Sequence, residues 1–203
     1  MYKILLLVFA LIAAPVAAQT ADPKSVAVFL QKGGYVIVFR HGATNRDQAD
    51  TDPLNLENVA KQRQLSEQGR DVARAVGASF KSLPVPIGKV YTSRFHRAVE
   101  TAQLLSGKEV TPSADLSEGG LVVTPIENDR RAEAFRKLVA VAPEHGTNTL
   151  IVSHKPNIID AFGKDWFDVK EGEASIFRPE AGGKYVLVGK LQAAQWLELA
   201  RPR

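Results

Sequence analysis

A continuous run of β-branched and aromatic residues constrains the fold of this chain more than any other segment. The run extends from Gly34 to Phe39, reads Gly-Tyr-Val-Ile-Val-Phe, and is preceded by a second glycine, Gly33. A strand without alternating polar positions is buried on both faces, which is typical of the middle of a parallel sheet. We therefore expect this strand to lie inside a sheet that is covered on both sides.

The rest of the chain alternates between helical and strand patterns. Apolar residues three and four apart, with Ser, Pro or Gly at the ends, indicate helices, and short β-branched runs indicate strands. This alternation predicts a three-layer α/β fold, in which a mostly parallel central sheet is flanked by helices. A polar stretch at 43–64 shows no periodicity and is predicted to be a long functional loop. The predicted helices begin at Ser66, at Ser93, near Glu127 (extending to Ala142) and at Pro156, and the later strands cover 89–92, 149–153, 174–177 and 185–191.

The N-terminus has the layout of a secretory signal peptide. Lys3 precedes an apolar run, and Val16-Ala17-Ala18 forms a small-residue cleavage site. The alternative, an uncleaved anchor, is disfavoured because residues 4–18 are fewer than the roughly 20 that a spanning helix needs. We therefore expect cleavage after residue 18, a single domain over residues 19–203, and a periplasmic or secreted protein without a stable membrane anchor.

Charge and cysteine content exclude several classes of function. The chain has 26 Lys and Arg against 22 Asp and Glu, a net charge of +4, without the clustered basic runs of a nucleic-acid binder. It contains no cysteine, which excludes disulfides, thiolate catalysis and cysteine-ligated metals. We expect no nucleic-acid partner.

Two of the four histidines follow predicted strands directly. His41 comes two residues after Phe39, and His154 comes directly after Ser153. In open α/β sheets ligands bind beyond the carboxyl ends of the strands, so these two side chains are candidates for a site. The spacing contains no H-x-H or H-x-x-x-H pattern, which disfavours a metal site. The other two histidines, His96 and His145, are predicted to be surface or structural residues.

Four motifs in this order resemble the histidine phosphatase superfamily, the phosphoglycerate-mutase-like proteins. The resemblance extends from about residue 33 to the last predicted strand and implies the α/β fold of that superfamily. The motifs read Arg-His-Gly-Ala-Thr at 40–44, Arg-Gln-Leu-Ser-Glu-Gln-Gly at 63–69, Thr-Ser-Arg-Phe-His-Arg-Ala-Val-Glu-Thr-Ala at 92–102, and Val-Ser-His at 152–154.

The resemblance implies a role for each motif residue. His41 would be the nucleophile that attacks phosphorus and becomes a phosphohistidine. Arg40, Arg97 and His154 would hold the phosphoryl oxygens, and Thr44 would also bind the substrate. A neutral imidazole nitrogen is nucleophilic, and flanking arginines favour that neutral form while balancing the charge on the phosphoryl oxygens. Since these cations take over the electrostatic role of a metal, no metal and no other cofactor is expected.

The leaving-group oxygen of an alkyl phosphate needs a proton, so a carboxylic acid should lie nearby. The resemblance assigns this role to Glu118, within Leu-Ser-Glu-Gly-Gly at 116–120, and Asp50 and Asp52 in the long loop are rival donors. The acid-phosphatase branch of the superfamily instead carries an aspartate directly after the second histidine. Here Lys155 occupies that position, so that donor is absent.

We therefore expect an exported phosphatase that hydrolyses a small phosphate monoester through phosphohistidine. A phosphotransferase or mutase of the same fold is the first alternative, and a non-catalytic module that binds a phosphorylated ligand is the second. Mutase activity is disfavoured because Asn45 follows Thr44 directly and the chain is too short for the mutase insertions. The substrate stays open among sugar phosphates, lipid-linked phosphates, phytate-like polyphosphates and phosphoproteins.

Overall fold

A single six-stranded sheet forms the centre of the fold in a computed structural model that describes residues 21–119 and 122–202. The predicted signal peptide, residues 1–18, lies outside these residues. In the described segments no helix is both long and apolar enough to cross a membrane. The strands are β1 Val36–Arg40, β2 Ile87–Ser93, β3 Thr111–Ser113, β4 Asn148–Ser153, β5 Ala174–Glu180 and β6 Lys184–Leu191.

The order of the strands across the sheet is β3-β2-β4-β1-β5-β6. The pairs β2·β3, β2·β4 and β1·β4 are parallel, whereas β1·β5 and β5·β6 are antiparallel. Gly182 and Gly183, both at positive φ near 75° and 72°, close the last hairpin, where the sequence places its Gly-Gly junction. The expected mostly parallel sheet is therefore confirmed, with one antiparallel edge.

Helices cover both faces of the sheet. One apolar core joins the sheet to α1, α2, α3 and α6, and a second joins it to α4 and α5. Along β1, Ile37 and Phe39 enter the first core while Val36 and Val38 enter the second, and all four are at most 1% exposed. The predicted three-layer arrangement is therefore confirmed. The helices are α1 Pro23–Gln31, α2 Glu67–Ser82, α3 His96–Ser106, α4 Pro125–Val139, α5 Lys155–Phe162 and α6 Ala193–Leu199.

Two predicted helix boundaries are wrong. The helix after β2 begins at His96 rather than at Ser93, because the Ser93 hydroxyl accepts a hydrogen bond from the Phe95 N–H in an extended segment. The α4 helix ends at Val139, and Ala142 is exposed rather than inward. Pro143 disfavours helical backbone at the residue that precedes it, which accounts for the earlier end.

Three elements have no counterpart in the sequence prediction: α1, α6 and the short edge strand β3. The predicted long loop at 43–64 contains one short 3-10 turn, Val59–Lys61, and its first residues are tied back through a β-bridge between Thr44 and Leu65. This loop passes beside the carboxyl ends of the parallel strands and supplies residues to the site described next.

Candidate active site

The two strand-end histidines lie side by side. Strands β1 and β4 pair in parallel register, with Arg40 opposite Ser153, and the His41 N–H donates to the Ser153 carbonyl at 3.1 Å. The ring centroids of His41 and His154 are 5.0 Å apart, and the two residues are 3% and 0% exposed. The structure thus brings together the two histidines that the sequence singled out.

The His41 ring has a defined tautomer. Its Nδ1 lies 2.8 Å from the Gly42 carbonyl oxygen, and since a carbonyl only accepts, Nδ1 carries the hydrogen. In the neutral ring the lone pair is then on Nε2. Burial holds the pKa of His41 well below its ordinary value of 6.5, and the neighbouring His154 ring and the positive charges of Arg97 and Arg40 lower it further. At neutral pH His41 is therefore uncharged, with an unprotonated Nε2.

A chain of serine groups fixes the opposite tautomer at His154. Its Nε2 lies 2.7 Å from the Ser93 hydroxyl, which lies 3.2 Å from the Ser117 hydroxyl, which lies 2.8 Å from the Ser113 carbonyl. The carbonyl accepts, so Ser117 donates its hydrogen there, and Ser93 donates to Ser117. The Ser93 oxygen must then accept from the Nε2–H of His154. We call Ser93, Ser117 and the Ser113 carbonyl the serine chain; it leaves the lone pair of His154 on Nδ1.

His154 is neutral even though a carboxylate is nearby. Its Nδ1 lies 3.7 Å from Oε1 of Glu118 and has no hydrogen-bond partner among the described residues. Burial lowers the pKa of His154 well below its ordinary value of 6.5. The positive charges of Arg97, Arg63 and Arg40 lower it further. These effects outweigh Glu118, because that carboxylate is already bound to Arg97. The contact is therefore not an ion pair.

Arg97 joins two carboxylates in the same place. Its side chain is 0% exposed, with its guanidinium carbon 4.3 Å from the centre of the Phe95 ring. Nη1 donates to Asp50 at 2.9 Å, and Nη2 donates to Glu118. Two of the three proton donors that the sequence offered, Glu118 and Asp50, thus bind one guanidinium. The third, Asp52, instead accepts from the Asn58 amide at 2.9 Å.

Arg40 and Arg63 add two further cations. Arg40 donates through Nη1 to the Val169 carbonyl at 2.7 Å and through Nη2 to Glu171 at 3.3 Å. Arg63 opens one of the four motifs but had no predicted role, and its charge acts on both Arg40 and His154. In the described part of the chain, Arg40, Arg63 and Arg97 each keep a buried Nε–H without a partner. Buried donors are normally satisfied, so this cluster is suited to an anion.

Two glycines hold the Arg-His-Gly loop against α2. A Cβ at Gly69 would lie 2.1 Å from the Ala43 carbonyl oxygen, and a Cβ at Gly42 would lie 2.9 Å from the Gly69 carbonyl oxygen. Ser66 caps α2 and also donates to the Ala43 carbonyl at 3.2 Å. The Gly42 N–H donates to Thr101 on α3 at 3.1 Å. The glycines of the motifs at 40–44 and 63–69 are therefore required by this close backbone contact.

The remaining candidates lie outside this cluster. Thr44 lines a separate cavity of about 530 Å³ together with Ser66 and Glu171. Its predicted contact with substrate stays a prediction. His145 is exposed, and His96 lies 3.9 Å from Glu100 on the outer side of α3. Over residues 21–119 and 122–202, no group of three or more His, Cys, Asp or Glu side chains is arranged to hold a metal ion.

Comparison with known proteins supports the family resemblance. The family model of the histidine phosphatase superfamily, branch 1, matches residues 36–123, a segment that contains three of the four motifs and Glu118. No curated protein sequence matches the chain significantly.

Several solved phosphatase structures share the fold. The protein histidine phosphatase SixA complexed with tungstate is 19% identical, with a TM-score of 0.55 over 79% of this chain and 97% of its own. Phosphoserine phosphatase from Entamoeba histolytica, in complex with 3-phosphoglyceric acid, is 18% identical, with a TM-score of 0.57 over 80% and 99%. A mycobacterial glucosyl-3-phosphoglycerate phosphatase is 17% identical, with a TM-score of 0.52 over 76% and 96%. At these identities the likeness is one of fold. Together, the family match over residues 36–123 and the shared fold confirm the resemblance of this chain to the histidine phosphatase superfamily.

Proposed function

We propose that this chain is a phosphatase that hydrolyses a phosphate monoester through a phosphohistidine on His41. The observation that carries the proposal is the state of that ring. Its Nδ1–H is held by the Gly42 carbonyl, so a neutral ring offers its Nε2 lone pair beside Arg97 and Arg40. A buried, uncharged imidazole next to several cations is suited to attack an anionic phosphorus centre.

In the first half-reaction, Nε2 of His41 attacks phosphorus while the bond from phosphorus to the leaving oxygen breaks. Arg97, Arg40 and Arg63 balance the charge that spreads over the three equatorial oxygens. Nδ1 of His154 carries a lone pair and lies 3.7 Å from Oε1 of Glu118. It can therefore accept a hydrogen bond from a protonated oxygen, either of the phosphoryl group or of Glu118. No metal is required for this step, because the guanidinium groups provide the positive charge.

A carboxylic acid then protonates the leaving oxygen. In the unliganded arrangement Arg97 binds Glu118 and Asp50, and a phosphoryl dianion at Arg97 would meet both of these negative groups. One of these two carboxyl groups, in its protonated form, is then in place to donate a proton to the leaving oxygen. In the second half-reaction the same carboxylate takes a proton from water, the water oxygen bonds to phosphorus, and His41 is released with free phosphate.

Trapping the intermediate tests the proposal. During turnover of a radiolabelled phosphomonoester, a rapid base quench should retain label on the protein, because phosphohistidine survives alkali and is lost in acid. Phosphate should be released without a bisphosphorylated primer and without added divalent metal. His41→Ala should remove both the label and the turnover.

The other readings give different results in the same experiment. Transfer of phosphate mainly to a second substrate hydroxyl would favour a phosphotransferase or mutase. Tight binding of a phosphorylated ligand, with neither label nor turnover, would favour a binding module. Activity that survives His41→Ala but is lost to a chelator would overturn the assignment and make the histidines metal ligands.

We also propose that the protein is exported. The proposal rests on Lys3, the apolar run and the small residues at 16–18. N-terminal sequencing of the protein from the extracytoplasmic fraction should begin near Gln19. Recovery of the uncleaved chain from the cytosol would contradict it.

A further inference from the structure

A cavity of about 470 Å³ adjoins the arginine cluster, and Asp50 and Glu118 form part of its wall. This volume lies in the range of small-molecule sites. The same two carboxylates bind Arg97, which does not itself line the cavity. The carboxylates therefore separate the phosphoryl site from the cavity.

The direction of the reaction places the leaving group in this cavity. In an in-line displacement the leaving oxygen departs on the side of phosphorus opposite to the nucleophile, here His41. The acid that protonates this oxygen must touch it, and the candidate acids are Glu118 and Asp50. Whatever the leaving oxygen carries then continues past these carboxylates into the cavity.

Apolar side chains form about half of the described cavity wall, beside five polar or charged ones. They include two side chains that expose large fractions of their surface, since Leu54 is 83% and Val122 is 46% exposed. These side chains offer an apolar ligand group a surface on which it loses contact with water. The apolar side chains of the wall are Pro53, Leu54, Leu56, Phe95, Ala114, Val122 and Val123.

The polar side chains of the same wall already have partners. Ser117 donates to the Ser113 carbonyl and accepts from the Arg94 N–H at 2.9 Å. The Arg94 guanidinium binds Glu57 at 3.0 Å. Arg131, also in the wall, binds a carboxylate and the Ser117 carbonyl. A sugar, with a hydroxyl on most carbons, would have to compete for these groups, whereas an apolar body would not.

We propose that this cavity binds the leaving group of the substrate and that this group is apolar, so that the substrate is a phosphate monoester of an alcohol with an apolar body. This inference rests on the proposed function, and it narrows the substrate class. Burial of the apolar body against Leu54 and Val122 supplies binding energy at the reacting centre.

Two alkyl phosphates with matched leaving oxygens test the proposal. Propyl phosphate and 3-phenylpropyl phosphate both release a primary alcohol after protonation of the leaving oxygen, so the chemical step is alike. The kcat/KM of the phenylpropyl ester should exceed that of the propyl ester by about 10- to 100-fold, as expected for burial of an aromatic ring. A ratio below about 2 would overturn the proposal, since burial of even a few methylene groups gives more.

Surface variants locate the effect. The double variant Leu54→Ser/Val122→Ser should lower the ratio of kcat/KM values by at least about threefold, because two apolar walls are lost. Ile126→Ser/Val141→Ser is the matched control, since these side chains are 82% and 59% exposed and lie outside the cavity wall. The control should leave the ratio unchanged. An equal loss in both double variants would overturn the assignment to this cavity.

A binding measurement separates this inference from the proposed function. Calorimetry with propylphosphonate and 3-phenylpropylphosphonate, which cannot be hydrolysed, should show a Kd about tenfold or more lower for the phenylpropyl compound. If neither ester is turned over but this difference holds, the phosphatase proposal fails while the apolar pocket stands. Equal Kd values would overturn the pocket whatever the turnover.

Discussion

His41 and His154 end two neighbouring parallel strands, yet the protein holds the two rings by different means. One hydrogen bond, to the carbonyl of the next residue, orients His41 and leaves Nε2 with the lone pair. His154 is held by the serine chain, which reaches it from β2 and from the turn after β3 and leaves the lone pair on Nδ1. The two neutral rings thus carry opposite tautomers 5.0 Å apart.

This difference between the two rings corresponds to two catalytic roles, nucleophilic attack and the positioning of an oxygen atom. A nucleophile has to form and break a bond at one nitrogen, so that nitrogen must stay free of donors and partners. A residue that orients a phosphoryl oxygen or a carboxyl group has to keep one nitrogen in a fixed place. The chain of hydrogen bonds behind His154 therefore favours a positioning role. The one hydrogen bond to His41, which leaves Nε2 free, favours covalent chemistry.

The strongest test removes each ring in turn. His41→Ala should lower turnover by at least about 10⁴-fold, since the nucleophile is lost, whereas His154→Ala should lower it by about 10²- to 10³-fold. The His154 variant should still accumulate label after a base quench. His145→Ala, at an exposed position, is the control. If the label persists in His41→Ala but is absent in His154→Ala, then His154 is the nucleophile and His41 the positioning residue.

The two carboxylates on Arg97 give the next test. Glu118→Gln should slow alkyl phosphates by about 10²- to 10⁴-fold and affect a nitrophenyl ester far less, because nitrophenolate leaves without a proton. Steady-state rates on both esters measure this difference. Asp52→Asn is a matched control in the loop, since Asp52 binds Asn58 rather than Arg97. The same selective loss in Asp50→Asn, with none in Glu118→Gln, would make Asp50 the acid.

Removal of the serine chain should affect the His154 ring and leave the His41 ring unchanged. Ser93→Ala takes away the acceptor of the Nε2–H, so we expect a roughly tenfold fall in kcat, equivalent to about 1.4 kcal/mol for a lost buried hydrogen bond. Nitrogen NMR should show Nε2 of His154 moving from a protonated towards an unprotonated shift, with His41 unchanged. Ser79→Ala, which removes a buried hydroxyl bound to the Ala75 carbonyl, is the control. An unchanged His154 spectrum would contradict the serine chain as the source of the tautomer.

The dependence of the free energy of unfolding on pH gives a test that needs no activity measurement. Both histidines have a pKa well below 6.5 in the folded protein, so below about pH 6.5 the unfolded chain binds protons that the folded chain does not. The free energy of unfolding should be unaffected by these groups above pH 6.5 and should fall as the pH drops, by about 1.4 kcal/mol per pH unit for each histidine. Urea unfolding between pH 7.5 and 5.5 measures this slope.

Single substitutions show which histidine produces the pH dependence of the free energy of unfolding. His154→Gln and His41→Gln should each reduce it by the contribution of one group, while His145→Gln leaves it unchanged. A slope that is the same in all four proteins would show that neither buried ring titrates on unfolding.

Much of the fold follows from local sequence patterns. The run from residue 34 to 39 specifies a strand buried on both faces, and the structure places it inside the sheet between β4 and β5. Ser66 marks a helix start that the structure reproduces, and Gly107 and Gly163, residues of the type that commonly ends helices, follow α3 and α5. Signals of this kind act over a few residues, so they can be interpreted without knowledge of the rest of the chain.

Local sequence patterns were less informative about polar residues that are buried in the folded protein. Polarity alone would place Arg97 and Thr101 of α3 on a solvated face, yet both are 0% exposed. Only the family motif pointed to Arg97, and nothing in the local pattern pointed to Thr101. Thr101 binds the Gly42 N–H, while Arg97 is satisfied by carboxylates from two other segments.

The sequence by itself placed His41 and His154 at the ends of strands and singled out Arg40 and Arg97 through their motifs. Only the tertiary structure selected Asp50 over Asp52 as a ligand of Arg97, brought Arg63 to the cluster and assigned opposite tautomers to His41 and His154. The physical reason is that these properties depend on hydrogen-bond partners far away in the chain. Asp50 and Arg97 are 47 residues apart, and His154 and Ser93 are 61 apart, so no local pattern contains these pairs.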